Sequence, residues 1–168
     1  WFVRSDAMLQ FIDDTLPQSL TFSYTEYGCG PNAPFTASLA KSNRSCLRYD
    51  IKKWGGGCQV VNLNDPDFSV ETSDVAVMGG VAEYIDDLES MAVNMAKFHK
   101  YLLLSYHPFN EPKLLRKDPM IELNKRTFKH GWHNHHTFDE LLKTLSKSAF
   151  PVRMMRLKAQ VIGVFEFS

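Results

Sequence analysis

Glu26-Tyr27-Gly28-Cys29-Gly30-Pro31-Asn32 places an acid and two glycines between a strand-like stretch and a helix-like one. Glycines at such a junction let the backbone turn tightly and approach a ligand, while the helix aims its N-terminal amides at the same place. Asp50 ends the following strand, where a carboxylate can accept hydrogen bonds from both hydroxyls of a ribose. Farther on, His130-Gly-Trp-His133-Asn-His135-His136 gathers four imidazoles in one short loop. A metal site, a substrate-facing loop and a plain packing role all suit such a segment. No Cys or carboxylate stands at a matching ligand spacing, so no metal is assigned. His107 directly follows an apolar strand and precedes Pro108. An imidazole there, at the carboxyl end of a strand, suits a general base working near neutral pH.

These residues need a scaffold, and hydrophobic periodicity supplies one. Ser5 opens a helix with the apolar face Met8, Leu9, Ile12 and Leu16, stopped by Pro17. Leu20 to Tyr27 reads as a strand, Pro34 to Lys41 as a helix, Ser45 to Tyr49 as a strand and Cys58 to Leu63 as another. Val75 to Met78 is apolar throughout and Tyr101 to Tyr106 contains Leu-Leu-Leu, as central strands buried on both faces do. Ile85, Leu88, Ala92 and Met95 mark an amphipathic helix between them. The polar stretch from Pro108 to His136 reads as a lid with a helical turn near Met120 to Lys125. Thr137 and Glu140 form a capping box for the next helix, and Val152 to Leu157 with Gln160 to Phe167 closes the chain as a hairpin. Alternating β and α units that end in an antiparallel pair imply an α/β, Rossmann-like, mostly parallel sheet with helices on both faces.

Composition bounds the function. The 168 residues carry 19 basic and 19 acidic side chains, are 44% hydrophobic and 23% charged, and show no repeat or linker, so 1–168 reads as a single domain. Zero net charge disfavours nonspecific nucleic-acid binding, and no apolar run is long enough to span a membrane. The chain opens at Trp1 without an initiator Met or a leader, and so reads as a piece of a longer polypeptide. Three cysteines without framework spacing suit free thiols in a reducing cytoplasm. Asp86-Asp87 reads as a metal pair or as acids complementing a helix start, and Lys113, Arg116 and Lys117 as an attractor for an acidic substrate or a solvated face.

With these residues in place, the chain resembles the class I S-adenosylmethionine-dependent methyltransferases, over most of its length from about Ser19. The resemblance rests on Glu26 with Gly28 and Gly30, on Asp50, on Asn62, on the Asp74 to Ile85 segment and on the final hairpin. It departs at Asn32, where the family has a third glycine, and at Asn62, where it has an Asp after the third strand. Asn at a turn tolerates left-handed geometry, and an amide can still hydrogen-bond adenine. The resemblance implies a seven-stranded sheet with S-adenosyl-L-methionine as cofactor. Glu26 would meet the methionine amino group, and Gly28 and Gly30 would let the backbone pass. Asp50 would hold the ribose, Asn62 and Leu63 would border adenine, and Gly79, Gly80 and Val81 would underlie the methionine end. It further implies methyl transfer to a small-molecule or saccharide acceptor. For that reaction the strand-end position makes His107 the expected base, with His133 and His135 able to reach the substrate when the lid closes. A non-catalytic cofactor-binding domain of a larger polypeptide and a nicotinamide-dinucleotide oxidoreductase are the competing readings, Ala33 being a permitted third position of the dinucleotide fingerprint.

Overall fold

The computed structural model describes residues 2–109 and 119–168. Lys113, Arg116 and Lys117 lie outside them. Helix α1 (Phe2–Thr15) leads through a 3-10 turn at Pro17–Thr21 into strand β1 (Tyr24–Tyr27), and then follow α2 (Pro34–Ala40) and β2 (Cys46–Asp50). Next come β3 (Gln59–Val60), β4 (Ser73–Gly79), α3 (Leu88–Met95) and β5 (His99–Tyr106). After α4 (Pro119–Asn124), a π turn at Lys125–Lys129 and α5 (Phe138–Leu145), the hairpin β6 (Ala149–Leu157) and β7 (Gln160–Phe167) ends the chain. The seven strands lie in the order β3-β2-β1-β4-β5-β7-β6, and β7 runs antiparallel to both its neighbours. The fold is therefore the α/β class that the sequence implies.

The apolar strands work on both faces because side chains alternate. Val75 and Val77 of β4, with Tyr101 and Leu103 of β5, pack on Met8, Phe11 and Ile12 of α1 and Phe35 and Leu39 of α2. Ala76, Met78, Leu102 and Leu104 turn to the opposite face and meet Met91 and Met95 of α3 and Leu141 and Leu145 of α5. An Arg44–Asp13 ion pair at 2.8 Å ties the α2–β2 turn to α1. Burial pushes the Asp13 carboxyl up, but the bonds from Arg44 and Ser19 outweigh it and hold the group below its ordinary range.

Three elements differ from their sequence pattern. Residues Leu20 and Thr21 belong to the 3-10 turn that Pro17 initiates, and β1 begins only at Tyr24. The stretch from Cys58 to Leu63 forms just two residues of ladder, since an edge strand pairs on one side only and Gln59 and Val60 are exposed. Ser5 is buried inside α1 instead of capping it. The Thr137 capping box forms with both reciprocal bonds, and Asp87 caps α3. On β6 the ladder is irregular between Pro151 and Arg153.

At the opposite end of the sheet from the glycine turn, His99 is buried with Tyr27 Oη 2.7 Å from its Nε2 and Ser73 Oγ 3.0 Å from its Nδ1. Desolvation lowers its pKa from 6.5 to about 4. An unfolded His99 takes up its proton near pH 6.5 and the folded one only near 4. The stabilisation is thus full above 6.5 and lost as pH falls between the two values. Urea unfolding at pH 7.5 and 4.5 should show the wild type losing about 2 to 3 kcal/mol more than His99→Gln does. Equal losses would mean that the fold does not hold His99 neutral.

Candidate functional site

The carboxyl ends of β1, β2 and β4 lie side by side, since Tyr27 pairs with Tyr49 and with Met78. Strand polarity thus brings Glu26, Asp50 and Gly79 to one edge from three distant parts of the chain. The turn after β1 uses both glycines with left-handed backbone, φ 62° at Gly28 and 59° at Gly30. The third left-handed residue is Ala33, with φ 38°, and not Asn32, so the departure from a third glycine is absorbed one residue later. The Glu26 carboxylate reaches under this turn and accepts from Phe35 N at 3.0 Å, Thr36 N at 2.8 Å and Thr36 Oγ1 at 2.7 Å. It caps α2 from below. Burial outweighs these bonds and raises its pKa.

Asp50 is similarly engaged, accepting from Gly30 N at 2.9 Å and Lys52 N at 3.0 Å. Each oxygen holds one amide and keeps acceptor capacity for a further donor. Gly28 lies against Val81, and a Cβ at this position would collide with the Val81 Cγ2 methyl. The closeness of the two loops leaves two adjoining cavities. The larger, about 450 Å³, is lined by Gly28, Asp50, Asn62, Leu63, Gly79, Gly80 and Val81, together with Tyr84, Ile85 and His133. The smaller, about 370 Å³, is lined by Glu26, Gly28, Gly30 and Gly79, with Arg4, Ser5 and Met8 of α1 over it. All nine residues expected to hold a cofactor line one cavity or the other.

Arg4 escaped the sequence reading. Its guanidinium donates to Gly79 O and lies beside Gly80, where a Cβ would meet it. The available signal was its place four residues before Met8, in line with the apolar face of that helix. Arg126 also went unread. It is buried between the rings of Phe109 and Trp132, each 5.2 Å away, and donates to His107 O at 3.0 Å and Pro108 O at 3.1 Å.

The histidine loop separates into different roles. His133 lines the larger cavity, its Nδ1 2.7 Å from Asp86 Oδ1. His135 bonds Thr127 through Nε2 at 3.0 Å. Asn134, between them, is buried: its amide donates to Ala82 O and Ile85 O and accepts from Tyr106 Oη. His107 lies outside both cavity linings, its ring edge-on to Trp132 and its amide donating to the buried Glu83 at 2.9 Å. Among the described residues no cluster of three His, Cys, Asp or Glu side chains could hold a metal, and no helix is long and apolar enough to cross a membrane.

The close approach at Gly28 is testable by stability. Gly28→Ala should cost ~2–4 kcal/mol in urea unfolding, from left-handed strain and from the overlap with Val81. Adding Val81→Ala should return ~1 kcal/mol by removing the overlap alone. Additive single effects would show that the two loops do not meet as described.

No family model and no curated protein matches the sequence. Solved structures do match the fold. A S-adenosylmethionine-dependent methyltransferase from Methanosarcina mazei shares 18% identity over 94% of this chain and 96% of its own, with a TM-score of 0.68. One from Mesorhizobium loti shares 10%, again over 94% and 96%, at 0.69. The N-methyltransferase NodS from Bradyrhizobium japonicum, in complex with S-adenosylhomocysteine, shares 17% over 94% and 86%, at 0.58. The chain spans about half the length of another match, LaPhzM, covering 51% of it. Sheet order, antiparallel β7 and these likenesses agree: the chain has the class I S-adenosylmethionine-dependent methyltransferase fold.

Proposed function

We propose that the chain binds S-adenosylmethionine along this edge of the sheet and transfers its methyl group to a small-molecule or saccharide acceptor. The observation that carries the reading is the convergence of residues from four separate strand ends on two adjoining cavities that share Tyr27, Gly28 and Gly79. The donor set fits the cofactor. The larger cavity joins apolar walls, Val61, Leu63 and Ile85, to one carboxylate and the Asn62 amide, as a nucleoside requires. Asp50 would accept the ribose hydroxyls with the lone pairs its two amides leave free. The smaller cavity brings the Arg4 cation and the buried Glu26 together, opposite charges for the two ends of an amino acid. Glu26 would act there through its charge and through the turn it holds, with Oε2 occupied twice by Thr36 and Oε1, which accepts only from Phe35 N, keeping capacity for a further donor.

When bound, the cofactor supplies an electrophilic methyl on a sulfonium, so the protein's task is alignment of a nucleophile and exclusion of water. Where the acceptor oxygen needs a base, we assign it to His133 ahead of His107 and His135, because of the three it is His133 that lines one of these two cavities, with its Nδ1 held by Asp86. A cofactor domain within a longer polypeptide would bind the same ligand without turnover, and methyl transfer by the isolated chain separates the two.

Two measurements test the proposal. S-adenosylmethionine and S-adenosylhomocysteine should each raise the melting temperature, since a ligand that binds only the native state stabilises it. A shift with NAD and none with either sulfur ligand would replace this reading by the oxidoreductase one. By calorimetric titration, Asp50→Ala should weaken S-adenosylhomocysteine binding by ~1.5–3 kcal/mol. Because Asp50 also holds two backbone amides, Asp50→Asn serves as the comparison, keeping one acceptor oxygen. Unchanged affinity in both folded variants would remove Asp50 from the site.

A further inference from the structure

Two of the three cysteines meet where the glycine turn touches the β2–β3 connection. Cys29 Sγ lies 3.3 Å from Cys58 Sγ, both side chains are buried, and they form a small cluster with Ala33 under the Trp54 ring. The third, Cys46, packs into the core cluster under α1 and α2, away from the pair. A disulfide holds its sulfurs at ~2.05 Å, so closing this pair asks for roughly 1 Å of approach. The backbone on both sides can give. Cys29 stands between Gly28 and Gly30, and Cys58 follows Gly55, Gly56 and Gly57, of which the last two also have positive φ. Glycines thus adjoin both cysteines, and Cys29 is among the residues that line the smaller cavity.

We propose that Cys29 and Cys58 are a reversible disulfide-forming pair, oxidised by a low-molecular-weight disulfide such as oxidised glutathione. The thiolate of one cysteine attacks a glutathione sulfur, expelling one glutathione as thiolate. The second cysteine then displaces the other. In sum two protein thiols become one disulfide, one glutathione disulfide becomes two thiols, and the two protons pass to the departing sulfurs. Burial raises the Cys29 thiol well above its usual range, so exchange proceeds through opening of the turn and is slow in the closed protein. The finished bridge clips the Gly28–Gly30 turn to the segment following Asp50, across the Gly30–Asp50 hydrogen bond at 2.9 Å.

The test uses a Cys46→Ser variant of the whole chain, ligand-free, incubated with oxidised glutathione. Intact mass should fall by two hydrogens, and a non-reducing peptide map should join Cys29 to Cys58. Emission from Trp54, compared with a Trp54→Phe control, should drop and return on adding dithiothreitol. In urea the oxidised protein should unfold at a higher midpoint than the reduced one. Cys58→Ser should instead retain one glutathione on Cys29. Glutathione adducts on both cysteines without a bridge, or a bridge that forms only after unfolding in urea, would overturn the assignment. Because these readouts need no cofactor, their outcome stands apart from the methyltransferase reading.

Discussion

The turn from β1 into α2 depends on a carboxylate that the fold has taken out of water. Glu26 has two backbone amides and one hydroxyl on its oxygens, and all three belong to the first residues of α2. A buried charge is tolerable only when so satisfied, and the partners here are the donors a helix start leaves orphaned. The direction of α2, and so the path of the glycine turn above Glu26, follows from that one group. Desolvation nevertheless outweighs the hydrogen bonds, so the charged form is held at a cost that the packing around it must offset.

A second layer of support comes from groups that touch neither cavity. Asn134 joins the 3-10 turn after β4 to the end of β5 through Tyr106, and Glu83 takes the amides of His133 and Asn134 on its backbone oxygen. Its side chain meanwhile receives His107 N. The loops that form the cavity wall are thereby tied to β5 by buried polar bonds as well as by the apolar packing of Ala82 and Ile85. Such bonds fix geometry strictly, since a small displacement leaves a buried donor or acceptor unpaired.

Much of this was legible in the sequence because strand ends are legible. Gly28, Gly30, Asp50 and Gly79 follow β-rich stretches directly, and a parallel sheet brings such positions together whatever lies between them. The short β3 was less so, because Val60 and Val61 have strand propensity but only one neighbour with which to express it. The 3-10 turn before β1 was hidden by the β-favouring Thr21 and Phe22, which Pro17 overrode. Partners remote in sequence were the hardest to foresee. The loop drew attention for its histidines, whereas its buried residue is the asparagine between them, whose carbonyl partners precede it by about fifty residues. Arg4 was unread for a like reason: nothing local says that α1 will cross the end of β4.

The edges of the sheet carry a consequence of their own. An unpaired strand edge invites another chain to add to it, and long flat edges promote polymerisation. Here one edge is β3, two residues long, and the other is β6, where Pro151 withholds an amide and the irregular ladder up to Arg153 bends the backbone. Phe150 and Val152 are exposed on that same strand, an apolar surface that a straight edge would turn into a template for aggregation. The proline and the break in register interrupt the run of donors and acceptors beside those side chains. The irregularity in the last hairpin is thus a safeguard against cross-chain pairing, set as far across the sheet from β3 as the topology permits.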